Sequence, residues 1–357
     1  MNDLLIGLVG VALATNQPQA ASNLVQQTTG ISIPVTATNS PAEMALQKVM
    51  AEDDDARAEI DQWIRENEKF KAQGAGESDE ELNRRIMARL DIVRKDYQDF
   101  LKQYTNNAHG YLAYGSFLGD IGEENAAAEQ YEKSRQLDPQ NPAVWNNLAN
   151  YYGEFSPVTN AFAYYTKAIE LNPKEPIYYE NFATTVYLYR KDAREFYHIN
   201  EQQVFDKALR LYRDAMNVAP DNFKLATEYA ESYYGIKPLR TNDALVAWTN
   251  ALHVAHDDLE REGVYIHLAR MKMLFGRYAE ASAQLEAVTN SVYSYLKDRV
   301  AHAIVQRQNE ATNATPDEIA TNGVSMIETN IPGAPANSIP LTNAPVVLTN
   351  HPKMLMN

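Results

Sequence analysis

The chain contains no cysteine. That absence excludes disulfides, thiolate metal sites, cysteine nucleophiles and lipid attachment through an N-terminal cysteine. Positive charge is scarce: 32 Lys and Arg against 47 Asp and Glu give a net charge of −15. Such an acidic chain repels phosphate backbones, so nucleic acid is not an expected partner. Long apolar runs are missing too. The longest, Leu4 to Ala14, is too short to cross a bilayer as a helix, so no stable membrane span is expected. There is no glycine-rich phosphate loop, no GxSxG elbow and no HExxH, which removes the commonest hydrolase and nucleotide-binding signatures. No cofactor is implied.

What is present is 45 % hydrophobic residues over 357 positions, enough for one large or two ordinary domains with a buried core. Tyrosine dominates the aromatics, 22 against 10 Phe, as suits helix interfaces buried at one end and wet at the other. The Leu4–Ala14 run fits the core of a signal peptide over residues 1–21, with Ala12-Leu13-Ala14 as a cleavage site. Met1-Asn2-Asp3 supplies no basic residue ahead of it. The alternatives are an exported, periplasmic protein or a frayed apolar terminus on a cytoplasmic one. Residues 22–40, rich in Thr, Asn, Gln, Ser and Pro, read as linker.

A charged helix is expected from Pro41 to Gln73. After "GAGES", Ser78 and Glu81 form a capping box that opens a second helix to Tyr104. From here the chain repeats. Gly115, Ala149 and Ala183 are 34 residues apart; so are Tyr111, Trp145 and Tyr179; so are Tyr97, Tyr131 and Tyr165; so are Pro139 and Pro173. Small residues at one position let paired helices approach, and large ones beside them fill the remaining space. Proline ends each second helix.

Two short helices per 34 residues is the tetratricopeptide signature, and the chain resembles that family over about 80–310. Tyr111, Tyr114, Gly115 and Leu118, then Gly122, Ala127, Tyr131, Ser134 and Pro139, match one unit. Trp145, Leu148, Ala149 and Tyr152, then Ala161, Tyr165, Ala168 and Pro173, match the next. Later units centre on Ala183 and Ala208, on Ala230 and Trp248, and on Ala269 and Ala281. The resemblance implies an all-α, right-handed α-solenoid. Five helix-turn-helix repeats and a capping helix (Val292 to Gln308) would fill 108–310, and 41–107 would end in a degenerate half-repeat. Residues 311–357, rich in Thr, Asn and Pro, read as a disordered tail.

One stretch conflicts with helix propensity. "PQNPAVWNNLANYY" (139–152) opens like a helix yet carries Asn146, Asn147 and Asn150, and asparagine is a mediocre helix former. On a helical wheel, Trp145, Leu148, Ala149 and Tyr152 make the packing stripe, with the asparagines opposite. The resemblance implies that first helices line a concave, peptide-binding groove. Asn147 would then stack on Asn181, one repeat later, as in the asparagine ladder of O-linked N-acetylglucosamine transferase. Asn146, Asn150, Thr184, Tyr187, Lys224, Glu228, Tyr234 and Arg270 complete the expected groove; the alternative for the asparagines is a plain solvated face. Two turns, 194–204 and 235–243, read as long loops presenting Phe196, Tyr197, His198, Lys237 and Arg240.

His253 and His256, three apart, are the best metal pair, but helix-terminal histidines are commonly surface residues, so no metal site is assigned. "EDDD" (52–55) reads as a solvated helix face. The expectation is a non-enzymatic scaffold holding a peptide or protein of unidentified nature, with bacterial envelope assembly or secretion as its setting. The alternatives are a self-associating envelope component and a metal-dependent hydrolase built on His253 and His256.

Overall fold

The computed structural model describes residues 40–155 and 157–313; the expected signal segment, nearly all of the linker, and the tail beyond 313 lie outside the described residues. The described chain is all-α. Fourteen helices are present: α1 Pro41–Ala72, α2 Asp79–Gln103, α3 Ala108–Asp120, α4 Glu124–Leu137, α5 Pro142–Phe155, α6 Thr159–Leu171, α7 Pro176–Leu188, α8 Arg190–Tyr197, α9 Glu201–Val218, α10 Phe223–Ser232, α11 Thr241–His253, α12 Asp258–Leu274, α13 Tyr278–Glu286 and α14 Ser294–Asn313. The chain divides at Val204, within α9, into two compact units.

In the first unit, α1 and α2 form a hairpin. The capping box is formed as the sequence indicates: the Ser78 hydroxyl accepts from Glu81 N–H at 3.2 Å, and Glu81 accepts from Ser78 N–H at 3.1 Å. The acidic run is a correction. Asp53 is buried, not solvated. It accepts from Arg57 Nε at 2.8 Å and from the Tyr97 hydroxyl at 3.1 Å. Arg57 also reaches Asp120, the last residue of α3, at 2.7 Å. A buried charge needs partners, and here they tie the hairpin to the first repeat.

Helix pairs α3–α4 and α5–α6 follow, each packed together, with α5 also against α4 and α7. The repeat positions explain the packing. Ala127, Ala149, Ala161, Ala168 and Ala183 are buried, as are Tyr131 and Tyr165. Helix α8 is a second correction. Residues 194–204 are no long loop: α8 fills the space after α7, buries Ala193 completely, and stops at His198 in the left-handed conformation, φ 54°. Asn200 and Gln203 then cap α9 reciprocally, at 2.9 and 3.0 Å.

In the second unit, α10 pairs with α11 and α12 with α13, and α12 also packs on α11. Ala230, Ala244, Trp248, Ala251, Ala269 and Ala281 are buried. Helix α14, entered through a 3-10 turn at Ser291–Tyr293, covers α12 and α13 and buries Val300 and Ile304. Its approach is fixed by the buried Glu262 of α12. That carboxylate accepts from Thr289 N–H (2.8 Å), Thr289 Oγ1 (2.8 Å) and Asn290 N–H (2.7 Å).

Burial pushes the Glu262 carboxyl up, but these three donors outweigh it and hold the group below the ordinary carboxylate range. A depressed carboxyl stabilises the fold above its unfolded value, about 4.3, and that contribution disappears as pH falls through the folded value. Glu262→Gln, which faces N–H donors with an amide, should lower stability near neutrality by about 2 kcal/mol. Thermal unfolding at a series of pH values checks this: the gap from wild type should narrow on acidification, and a constant gap contradicts it.

Candidate functional site

The first helices α5 and α7 carry the asparagine row. Asn146 and Asn147 do not face away from packing: they are 1 % and 7 % exposed. The cause is the surroundings of α5, which packs on α4, α6 and α7 and so buries more of its circumference than one stripe. Leu112 of α3 and Glu180 of α7 are buried as well. Trp145, assigned to the packing stripe, is only half-buried, its indole N–H donating to Pro139 O at 2.9 Å.

The buried amides are paired. Asn146 Nδ2 donates to Asn147 Oδ1 at 3.2 Å, and Asn181 Nδ2 donates to Asn146 Oδ1 at 3.1 Å. Asn181 therefore joins the row through Asn146 rather than through Asn147, 34 residues before it. Asn147 also meets the phenol of Tyr131. Beside this row, the Tyr165 hydroxyl donates to Asn150 Oδ1 at 2.7 Å and accepts from Thr185 Oγ1 at 3.2 Å. Burial pushes both phenols up, so each stays neutral. Asn150 is exposed and Asn181 half-buried. An amide offers two donors and an acceptor with two lone pairs, so each keeps groups to give outward. Thr184 and Tyr187 lie half-buried further along α7, with the Arg190 guanidinium 5.3 Å from the Tyr187 ring centre.

In the second unit, Lys224 and Glu228 pair at 2.7 Å on α10. Tyr234, just after α10, carries Arg270 of α12 over its ring at 4.9 Å. Its hydroxyl meets His267 Nδ1 at 3.0 Å, and the His267 ring stacks on Trp248 with centres 3.9 Å apart. Burial, followed by the neighbouring Arg270, drives His267 well below the ordinary range, so the imidazole is neutral. Glu231 of α10 belongs to this cluster. Burial pushes its carboxyl up to about 7, and Arg270 opposes that.

The edge residues separate by unit. Phe196 and Tyr197 sit on α8, their rings 5.4 and 5.5 Å from Phe162, and the exposed His198 follows in the short turn before α9. In the second unit Lys237 is exposed, and Arg240 pairs with Asp206 at 2.6 Å. His253 closes α11, while His256 engages Glu260 through its N–H at 2.7 Å and its ring at 3.0 Å. Among the described residues no three His, Asp or Glu are grouped to hold a metal, and no helix is long and apolar enough to cross a membrane.

Residues 142–175 match the tetratricopeptide repeat model, which covers α5, α6 and the turn into α7. No curated protein matches the chain. Among solved structures, PilW, a "widely conserved type IV pilus biogenesis factor", is 14 % identical, with 74 % of this chain and 99 % of that one covered and a TM-score of 0.48. The Pseudomonas aeruginosa pilF structure is 16 % identical, over 68 % and 96 %, with a TM-score of 0.41. YrrB, "a TPR protein with an unusual peptide-binding site", is 12 % identical, over 58 % and 97 %, with a TM-score of 0.43. In its 34-residue register and its helix pairs the chain is similar to tetratricopeptide-repeat proteins, and residues 142–175 match one unit of that repeat.

Proposed function

We propose that the chain is a non-enzymatic scaffold that holds an extended peptide segment of a partner protein along the first helices of its repeats. The observation that carries this is the fixing of Asn150 and Asn181. Each is held from behind by a partly buried hydrogen bond, to Tyr165 and to Asn146. Their remaining amide groups are thereby pre-oriented, which cuts the entropy lost on binding. Donor and acceptor on one side chain suit the alternating N–H and C=O of an extended backbone. The apolar run Leu4–Ala14 favours work in a bacterial envelope, in assembling or secreting other proteins.

The test is affinity capture with the full chain and with Asn150→Ala/Asn181→Ala, followed by calorimetry on the captured partner's binding segment. The double variant should keep its helicity and bind about tenfold more weakly. Equal affinity would remove the asparagines from the site.

A further inference from the structure

Five aromatic side chains of the first unit form a row that the asparagine site does not use. On α5 and α6, Trp145 and Tyr152 each meet the Tyr164 ring edge to face, with centres 5.2 Å apart. Tyr151 follows Tyr152 at 5.5 Å, and Phe155 follows Tyr151 at 5.5 Å. Phe155 is 53 % exposed and the other four are half-buried. Two polar tips fix the row. The Trp145 indole N–H donates to Pro139 O, and the Tyr151 hydroxyl donates to Asn125 Oδ1 at 2.8 Å. Arg135, which lies over Trp145, is paired with Glu132 at 2.7 Å. Rings set edge to face leave slots between them, and aromatic-lined slots take the rings of proline in an extended segment.

We propose that this row takes the segment Pro332–Pro345 of a second copy of the chain. The segment carries Pro332, Pro335, Pro340 and Pro345. In the polyproline II conformation three residues make one turn and advance about 9 Å, so Pro332 and Pro335 present one edge at a spacing comparable with two steps along the row. Charge singles this segment out. The chain carries a net charge of −15, and acidic residues outnumber basic ones by ten to four over 105–189, so two copies repel. No Asp, Glu, Lys or Arg lies between Glu328 and Lys353, so this stretch approaches the first unit without that repulsion. Eighteen residues separate Asn313, the end of α14, from Pro332, a reach of about 60 Å when extended. Docking within one molecule would have to close a loop through the whole second unit, a constraint that a second copy does not meet. Each copy brings one row and one segment, so association runs head to tail.

Sedimentation velocity of the full-length chain from about 10 µM to about 1 mM tests this. The mean mass of wild type should rise with concentration. Tyr151→Ser/Phe155→Ser and Pro332→Ala/Pro335→Ala should each weaken association by on the order of tenfold. An equimolar mixture of the two variants should form pairs and stop there, because one brings only a segment and the other only a row. Should the Tyr151 and Phe155 variant lose helicity, the proline variant, whose changes lie outside the described residues, decides. A wild type that stays monomeric, as docking within one molecule would leave it, overturns the proposal. So does association that either variant retains in full, or a mixture that fails to pair or grows beyond pairs.

Discussion

Gly115→Val should destabilise the first unit by about 3 kcal/mol, at the upper end of overpacking costs. A Cβ on Gly115 would lie 2.5 Å from the Tyr131 ring and 3.2 Å from Ala127 O. Tyr131 is buried in the core shared by α2, α3 and α4, so the ring cannot swing clear, and Val adds two methyl groups to the conflict. Gly115→Ala should also destabilise, although alanine is the better helix former by about 1 kcal/mol. Thermal unfolding followed by circular dichroism reads the effect, a fall for Val of about 6–12 °C in a unit of this size. An Ala variant more stable than wild type contradicts the account. Alanine fills the matching positions 149 and 183 without exposure; the repeats share a register but not a spacing.

Trp248→Ala should be costlier, about 3–5 kcal/mol, as for other buried aromatics truncated to alanine. Trp248 is fully buried in α11, where it carries the stacked His267 ring and stands beside Tyr234. Removing it empties the space behind the polar cluster. Trp248→Phe makes the sharper comparison. The indole N–H has no partner, so phenylalanine loses volume but also removes an unsatisfied donor, which should hold the cost to about 1 kcal/mol. The two variants compared by urea unfolding separate volume from hydrogen bonding. Equal losses would mean the N–H is not an orphan.

The fold was legible because it repeats: one period marked the small, large and terminating positions of α3 to α7 together, and a single helix pair need not have done so. The capping box at Ser78 was equally readable, since both of its bonds are local. What escaped depended on neighbours far away in the chain. Asn146 and Asn147 were placed outward because a wheel drawn for α5 alone has one packed face, whereas three helices surround it. Asp53 looked solvated inside an acidic run, yet Tyr97, which donates to it, is 44 residues away, and its neighbour Arg57 reaches Asp120 on α3. Helix α8 was hidden because its eight residues follow no repeat position; the burial of Ala193 and the rings on Phe162 help to hold it. In the candidate site, the stacking of His267 on Trp248 was not readable, because the two rings come from different helices.

Repeat arrays expose unsatisfied faces at their ends, and those faces are where copies can stack into filaments. The α1–α2 hairpin occupies that face on the first repeat, held there by the Arg57–Asp120 bond and by Asn107 Nδ2 donating to Glu43. A second molecule arriving end-on at this side meets a long charged helix instead of an apolar seat. Among the described residues the hairpin therefore covers the end of the array on this side with charged surface.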